Sequence, residues 1–174
     1  MRKMRADITG EQLRSLYHYD SSTGVFVRKV RAHDGPWNWN ARYAGKVAGF
    51  LYRGYSFICI ERRTYAAHRL AFLYIHDRWP VGEIDHANGD RSDNRIANLR
   101  EATNSQNQFN KGPNQNNTSG FKGVSWCADK KRWAARIRVN RRLLNLGRYK
   151  TPEAAHAAYV AAALRYAGEF SRAT

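Results

Sequence analysis

The spacing of apolar and polar positions in the first forty residues predicts several short elements. Thr9-Gly10-Glu11-Gln12 has the form of a capping box, in which a Thr and a Gln three residues later each bond the other's backbone N–H. This predicts a short helix to about His18. Gly24-Val25-Phe26-Val27-Arg28 is typical of a strand, whereas residues 31–40, with Gly, Pro and two Trp, predict an irregular loop.

The next segment changes from strand-like to helical spacing. Short apolar runs over residues 45–65, broken at Arg53-Gly54 and Arg62-Arg63, predict a β-meander of two or three strands. From Ala66 to Asp77 the period becomes helical, and Pro80 should stop the helix. The stripe on its apolar face comprises Leu70, Ala71, Tyr74 and Ile75.

A polar, breaker-rich stretch at residues 110–117 predicts a linker to a second domain. Three strand-like runs follow it, at residues 121–126, 133–139 and 143–149. A helix should then begin with Thr151 as N-cap and Pro152 at its first position, and Gly168 should end it as a left-handed cap. Three strands and one helix are enough for a small autonomous unit.

The charge balance indicates a polyanionic partner. The chain has 30 Lys and Arg against 14 Asp and Glu, a formal net charge of +16, and residues 118–174 hold +9 of it. Such an excess repels itself in a compact state unless an anion is bound. Nucleic acid is the leading candidate and an anionic membrane surface its rival. Since no apolar run approaches about 20 residues, we expect a soluble intracellular protein with no membrane span.

The cysteine content argues against structural zinc. Only Cys59 and Cys127 are present, far apart in the sequence, so the paired Cys-x-x-Cys ligands typical of structural zinc sites are missing. We therefore interpret both as small reduced core residues and expect no bound zinc.

Candidate chemistry is concentrated in residues 83–107. Asp85-His86 follows an apolar run and precedes an Asn-Gly turn, so a carboxylate that can hold a hard divalent cation adjoins an imidazole that can take a proton from water. Thr103-x-x-Gln106 is a second capping box, which puts Asn107 in the first turn of a helix, where its side chain could project towards Asp85. His68, beside Leu70 on a helix face, is interpreted as a supporting residue rather than a ligand.

This region resembles the HNH homing endonucleases of phages and mobile introns. The resemblance rests on an ordered set of motifs over residues 66–110: His-Arg-Leu (68–70), Ile-Asp-His (84–86), Asn-Gly-Asp (88–90), Asp-Asn-Arg (93–95), Asn-Leu-Arg (98–100) and Asn107. It implies a ββα-metal module in which Asp85 and Asn107 ligate one Mg²⁺ or Mn²⁺. It also implies that His86 is the general base and that Asn98 fixes the loop holding His86.

The C-terminal part resembles the plant APETALA/ethylene-response-factor DNA-binding domain, of which phage HNH proteins often carry a copy. The resemblance spans nearly all of residues 118–172 and rests on Gly-Val (123–124), Trp-Ala-Ala (133–135), Leu-Gly (146–147) and the Ala-rich helix. It implies a three-stranded antiparallel sheet in the major groove. The DNA-binding residues we expect on that sheet are Lys122, Trp126, Arg136, Arg138 and Arg148.

Three departures from that domain bear on its target. Ser125 replaces the second arginine of the family's first strand, Arg136 its central-strand Glu, and Asn145 its third-strand Trp. We therefore expect the fold to carry over and the plant target sequence not to.

These patterns together predict an α+β protein with two functional parts. The nuclease domain is residues 1–111, with a meander over 20–65 and a ββα-metal core over 80–111, followed by a linker at 112–117 and the DNA-binding domain at 118–174. The predicted function is sequence-directed hydrolysis of double-stranded DNA, and nothing in the sequence calls for an obligatory protein partner, which is compatible with a monomer. The alternatives are a DNA-binding protein with a degenerate nuclease module, against which the intact Asp85, His86, Asn98 and Asn107 argue, and an RNA-binding protein supported only by charge and aromatic content.

Overall fold

A computed structural model describes residues 7–33 and 38–171 of the chain. The backbone divides into two compact units between Glu101 and Ala102. Over the described ranges, every helix is too short or too polar to cross a lipid bilayer.

The first unit alternates short strands with helices. In chain order its elements are α1 (Gly10–Leu16), β1 (Tyr17–Asp20), β2 (Val25–Arg28), α2 (Trp39–Tyr43), β3 (Phe50–Tyr52), β4 (Tyr55–Ile60), β5 (Arg63–Ala66), α3 (Ala67–His76), β6 (Glu83–His86) and β7 (Leu99–Ala102), the last ending just past the division. A 3-10 turn, Ile96–Asn98, precedes β7. The sheets are small: β1 pairs with β2, β6 with β7, and β4 lies between β3 and β5.

The predicted capping box begins α1. Thr9 Oγ1 accepts from the backbone N–H of Gln12 at 3.2 Å, and Gln12 Oε1 accepts from that of Thr9 at 3.0 Å. The helix ends at Leu16 rather than at His18, because residues 17–20 pair antiparallel with 25–28. The sequence predicted the second strand of this hairpin and missed the first.

The predicted β-meander is confirmed, with antiparallel pairing throughout. Arg53-Gly54 forms the first two-residue turn, and Glu61-Arg62 forms the second, one residue earlier than predicted, with φ of 48° and 66°. The predicted loop at 31–40 lies partly outside the described residues, and it is wrong for Trp39 and Asn40, which belong to α2.

Helix α3 provides the centre of the first core. Its buried residues are Ala67, Leu70, Ala71, Phe72 and Leu73. Ile75 is 45% exposed, so its place on the predicted stripe was wrong. The physical reason is that the buried arc of the helix centres on Leu70 and Leu73, and Ile75 lies beyond its edge. The same core contains Leu13, Tyr17, Tyr19, Phe26, Ile58 and Ile60.

The second unit is the predicted three-stranded antiparallel sheet with a helix, joined by one further helix. Its elements are α4 (Asn104–Asn110), β8 (Val124–Cys127), β9 (Arg132–Val139), β10 (Arg142–Tyr149) and α5 (Pro152–Ala167), with β9 central in the sheet. Thr151 caps α5 by accepting from Ala154 N at 3.2 Å. Gly168 follows α5 with a φ of 53°, although its ψ of −124° is not that of a left-handed helical cap.

Helix α4 packs with the C-terminal elements. Phe109 is buried in one cluster with Ile137, Tyr159 and Ala163. This packing explains why the compact division falls before α4 and not at residues 112–117. The predicted functional parts, residues 1–111, 112–117 and 118–174, therefore stay predictions. The ββα-metal arrangement also stays a prediction. The mixture of helix and sheet agrees with the α+β class.

Candidate functional site

The Asp85-His86 pair ends strand β6 and opens a loop that returns to β7. Ala87 N donates to Asn98 O at 2.9 Å, which closes the loop at its base. Gly89 N donates to His86 O at 2.8 Å, and Gly89 has a φ of 76°, which an L side chain rarely adopts. The Asn-Gly pair predicted as a turn thus directs the chain away from β6 directly after His86.

Asn98 links the two arms of this loop. Its side chain is 8% exposed; Oδ1 accepts from Asn88 N at 2.9 Å and Nδ2 donates to Asp93 O at 2.8 Å. Both bonds are to main-chain atoms, so they restrain the backbone that follows His86. These contacts suit the loop-fixing role expected for Asn98, and its part in catalysis stays a prediction.

Asp93 holds the outer part of the loop. Its carboxylate accepts from Arg95 Nε at 2.8 Å and Arg95 Nη2 at 2.6 Å, and also from Asn88 Nδ2 at 2.7 Å. These bonds, those from Arg95 above all, lower the pKa of Asp93 to about 2. The loop therefore carries a fixed negative charge that Arg95 balances.

The β1–β2 hairpin supports the same loop from outside. Tyr19 Oη donates to Asn94 O at 2.7 Å, and Ile96 N donates to Ser21 O at 3.2 Å. A Cβ on Gly24 would lie 2.5 Å from the backbone of Asn94 and of Arg95, so only glycine allows this approach. The strand that the sequence missed is thus part of what positions the loop.

His86 is buried beside the amide of Asn94. The two residues are 5% and 4% exposed, and His86 Nε2 lies 3.4 Å from Asn94 Oδ1. Asn94 Nδ2 donates to Ser92 O at 3.1 Å, which orients the amide with its oxygen towards the ring. Burial lowers the pKa of His86, although the Asn94 bond and the charge of Asp85 act the other way. The ring is therefore neutral near pH 7.

Two further rings line the same site. His68, near the start of α3, lies 5.1 Å from His86 between ring centroids, and Tyr55 lies 5.6 Å from His68 and 6.1 Å from His86. His68 Nδ1 is buried and has no hydrogen-bond partner among the described residues. Burial, followed by electrostatic repulsion from His86 and Arg69 when these groups are protonated, lowers the pKa of His68 to about 4. His68 is thus a neutral packing partner of His86, in line with the supporting role expected for it.

Asp85 forms an ion pair with Arg100 of β7. Its side chain is 3% exposed, and Oδ2 accepts from Arg100 Nε at 3.0 Å and from Arg100 Nη2 at 2.9 Å. Asp85 and His86 contact different neighbours, because adjacent strand residues point to opposite sides. The carboxylate is therefore held in place and charge-balanced within the fold.

The predicted metal ligand Asn107 lies in α4, in the second unit. The helix begins with the expected capping box, in which Thr103 Oγ1 accepts from Gln106 N at 3.2 Å. Asn107 N then donates to Thr103 O at 3.0 Å, which confirms that Asn107 belongs to the start of a helix. Its proximity to Asp85 stays a prediction.

The donor set suits a hard cation held by few protein atoms. No cluster of three or more His, Cys, Asp or Glu side chains suited to a metal occurs within 7–33 and 38–171. Asp85 of the first unit can supply an anionic oxygen, and Mg²⁺ is commonly bound by one or two carboxylates with water and substrate phosphate completing its shell. The chemistry of this carboxylate therefore fits such an ion, and a ligand role for Asn107 stays a prediction.

Sequence reasoning assigned no role to Asn94, Arg100 or Tyr55. The first two stand inside motifs that were noted, Asp-Asn-Arg and Asn-Leu-Arg, so the motifs marked the right segment without separating the roles of their members. Tyr55 had no local signal, because its position beside His68 and His86 depends on how the meander meets α3 and β6.

Strand pairing in the second unit sorts the residues expected to bind DNA. Arg136 and Arg138 are exposed and lie two residues apart on β9, so they share one face of the sheet. Arg148 of β10 pairs with Ala134 and lies on the same face. Trp126 pairs with Trp133, one position out of phase with Arg136, so it lies on the opposite face, with its ring 5.1 Å from that of Trp133. Trp126, expected to bind DNA on the same sheet, is thus separated from the arginines, because the register of β8 against β9 decides the face.

Lys122 is engaged within the second unit. Its Nζ donates to Gln108 O at 2.9 Å and to Phe109 O at 2.7 Å, at the carbonyl end of α4. A cation there is favoured by the helix dipole and by unpaired carbonyls. The structure thus gives Lys122 a capping contact, and its DNA contact stays a prediction.

Residues 65–109 match the model of an HNH endonuclease family. This segment contains α3, Asp85, His86 and the loop to β7. The match suggests nuclease activity on DNA. HNH nucleases generally use a divalent metal ion. The match stops short of residues 118–172, so their resemblance to the APETALA/ethylene-response-factor domain stays a prediction. No curated protein and no solved structure matches the chain.

Proposed function

We propose that this protein is a DNA endonuclease of the homing type, with one divalent metal ion and His86 as general base. The observation that carries the proposal is a buried Asp-His pair inside the segment that matches HNH endonucleases. Two buried amides support this pair. Asn94 contacts the His86 imidazole, and Asn98 bonds to the backbone of the loop that follows it.

His86 is suited to take a proton from water. Its lowered pKa keeps the ring neutral near pH 7. The amide oxygen of Asn94 can only accept, so this contact places the ring proton on Nε2. A water activated by the neutral imidazole would attack the phosphorus in line, and such general-base catalysis contributes roughly 10²- to 10⁴-fold.

Asp85 and Asn107 are the proposed metal ligands. Bound Mg²⁺ or Mn²⁺ would neutralise charge on the phosphate and on the departing 3′ oxygen. Arg100 orients the Asp85 carboxylate and balances its charge within the first unit, which supports the proposed ligand role.

The proposed recognition surface is the arginine face of the C-terminal sheet. Arg136, Arg138 and Arg148 share that face, and three cations together are costly without an anion to bind. This face would contact double-stranded DNA and direct the nuclease to its site.

The test is cleavage of supercoiled plasmid by the full chain with Mg²⁺ or with a chelator. His86→Ala should abolish turnover and leave DNA affinity close to wild type, whereas His18→Ala, which removes an exposed imidazole on β1, should cut normally. Cleavage by the His86→Ala protein at the wild-type rate would exclude His86 from the chemistry. Binding without any cleavage by the wild type would instead support a DNA-binding protein with a degenerate nuclease module.

A further inference from the structure

One face of the β-meander presents four aromatic rings. Antiparallel pairing sets Phe50 opposite Phe57 and Tyr52 opposite Tyr55, and residues opposite each other share a face. Ile58 alternates onto the other face and is 1% exposed in the core. We refer to Phe50, Tyr52, Tyr55 and Phe57 as the aromatic face.

The rings of the aromatic face form a continuous surface that reaches solvent. Phe50 and Tyr52 are 52% and 56% exposed. Phe57 lies 6.1 Å from Phe50, 6.4 Å from Tyr52 and 6.5 Å from Tyr55 between centroids. The solvent side of an antiparallel sheet normally carries polar residues, so a cluster of exposed rings indicates a contact surface.

The charges around the aromatic face favour an anionic partner. The guanidinium carbon of Arg53 lies 5.3 Å from the Tyr52 ring centroid, and that of Arg91 lies 5.1 Å from the Tyr55 ring centroid. The other positions of this face on the three strands are Cys59, Thr64 and Ala66, none of them acidic. Rings bordered by arginines match a partner that alternates flat apolar groups with phosphates, which is the chemistry of exposed nucleobases.

The aromatic face is continuous with the candidate catalytic site. Tyr55 belongs to it and lies 6.1 Å from His86 and 5.6 Å from His68. A nucleic acid strand on these rings would therefore lead to the imidazole proposed as general base.

We propose that the aromatic face stacks unpaired bases of the DNA strand next to the phosphate that is cut. The protein would then prefer DNA that is locally unpaired at that point over a continuous duplex. This inference rests on the proposed nuclease function for its placement of the cut, while the stacking itself is measurable without cleavage. The proposed substrate class is DNA with accessible base faces.

The experiment compares two labelled DNAs that differ only in a short internal unpaired tract, with the full chain in chelator so that nothing is cut. Fluorescence anisotropy gives the affinity ratio, and 2-aminopurine in the tract reports stacking by quenching. Because each stacked base contributes roughly fivefold or more to affinity, Phe50→Leu and Tyr52→Leu should each lower that ratio by about this factor and relieve the quenching. Tyr52→Phe, which keeps the ring, should retain both.

The matched control is Leu51→Ala. Leu51 is 69% exposed on the same strand but alternates to the opposite face, so its loss should leave the ratio unchanged. The proposal is overturned if the wild type shows no preference for the unpaired tract, if Leu51→Ala acts like Phe50→Leu, or if the ring variants weaken both DNAs equally. Plasmid cleavage by the His86 variants tests the nuclease function separately, so one proposal can fail without the other.

Discussion

Arg100 directs two nitrogens, Nε and Nη2, at a single oxygen of Asp85, at 3.0 and 2.9 Å. Their side chains are 21% and 3% exposed, so water screens the pair little. A carboxylate buried to this extent is costly unless a cation accompanies it. The arginine therefore balances the charge of a proposed metal ligand inside the fold.

Removing that arginine should destabilise the protein. Arg100→Met leaves the buried Asp85 charge uncompensated, which costs about 3 kcal/mol in the free energy of unfolding. Urea denaturation in chelator measures it. Arg95→Met is the comparison, because the partly exposed Arg95–Asp93 pair should contribute no more than about 1 kcal/mol. Equal losses of unfolding free energy in Arg100→Met and Arg95→Met would contradict a larger contribution from the buried Asp85–Arg100 pair.

Asn94 should act as a positioning residue for His86. Asn94→Ala removes the acceptor beside Nε2, so the ring proton is no longer fixed there, and loss of such an orienting partner costs about 10- to 100-fold in activity. Single-turnover cleavage at saturating enzyme should show the fall in rate while DNA affinity is retained. Tyr19→Phe removes only the bond to the Asn94 main chain and should keep the rate within a few-fold; an equal loss in both variants would mean that Asn94 merely supports the loop.

The loop should add a pH-dependent contribution to stability through Asp93. Its pKa in the folded protein is about 2, below the unfolded value near 3.9. A lowered folded pKa stabilises the protein above the unfolded pKa, and the contribution is lost as the pH falls from about 4 through about 2. Urea denaturation should therefore show wild type more stable than Asp93→Asn at pH 6, with the gap narrowing as the pH falls below 4. A gap that stays constant from pH 6 to pH 3 would count against this assignment.

The C-terminal arginines should set the salt dependence of DNA binding. Arg136→Ala and Arg138→Ala should each weaken binding and flatten the log–log salt slope by about 0.9 if each contacts one phosphate. Anisotropy over a range of salt concentrations tests this in the full chain. Trp126→Ala, on the opposite face, should leave the slope unchanged; if it flattens the slope as much as Arg136→Ala does, the arginine face is not the contact surface.

Point variants are preferable here to a truncation at the predicted linker. Phe109 of α4 is buried among Ile137, Tyr159 and Ala163. Ending the chain before residue 118 would expose Phe109 and remove the lysine that caps α4. A loss of activity in such a fragment would then report on folding rather than on recognition.

Features encoded by neighbouring residues were predictable from the sequence. The capping boxes at Thr9 and Thr103, and the Thr151-Pro152 start of α5, each depend on atoms within four residues of one another. The Asp85-His86 pair and its Asn-rich loop were recognisable for the same reason, since their order along the chain carries the information.

Features that depend on partners far along the chain were not predictable from the sequence. Residues 17–20 form a strand because residues 25–28 pair with them, although their own pattern favoured a helix end. The face on which Trp126 lies depends on a register that shifts every side chain by one position. Asp85 meets Arg100, Tyr55 meets His86, and Phe109 enters the C-terminal core through contacts of this kind. The sequence by itself determined the segment in which we propose the chemistry to lie and where most elements begin. Only the tertiary structure decided the neighbours of these residues, because burial and charge compensation depend on distance in space and not on spacing along the chain.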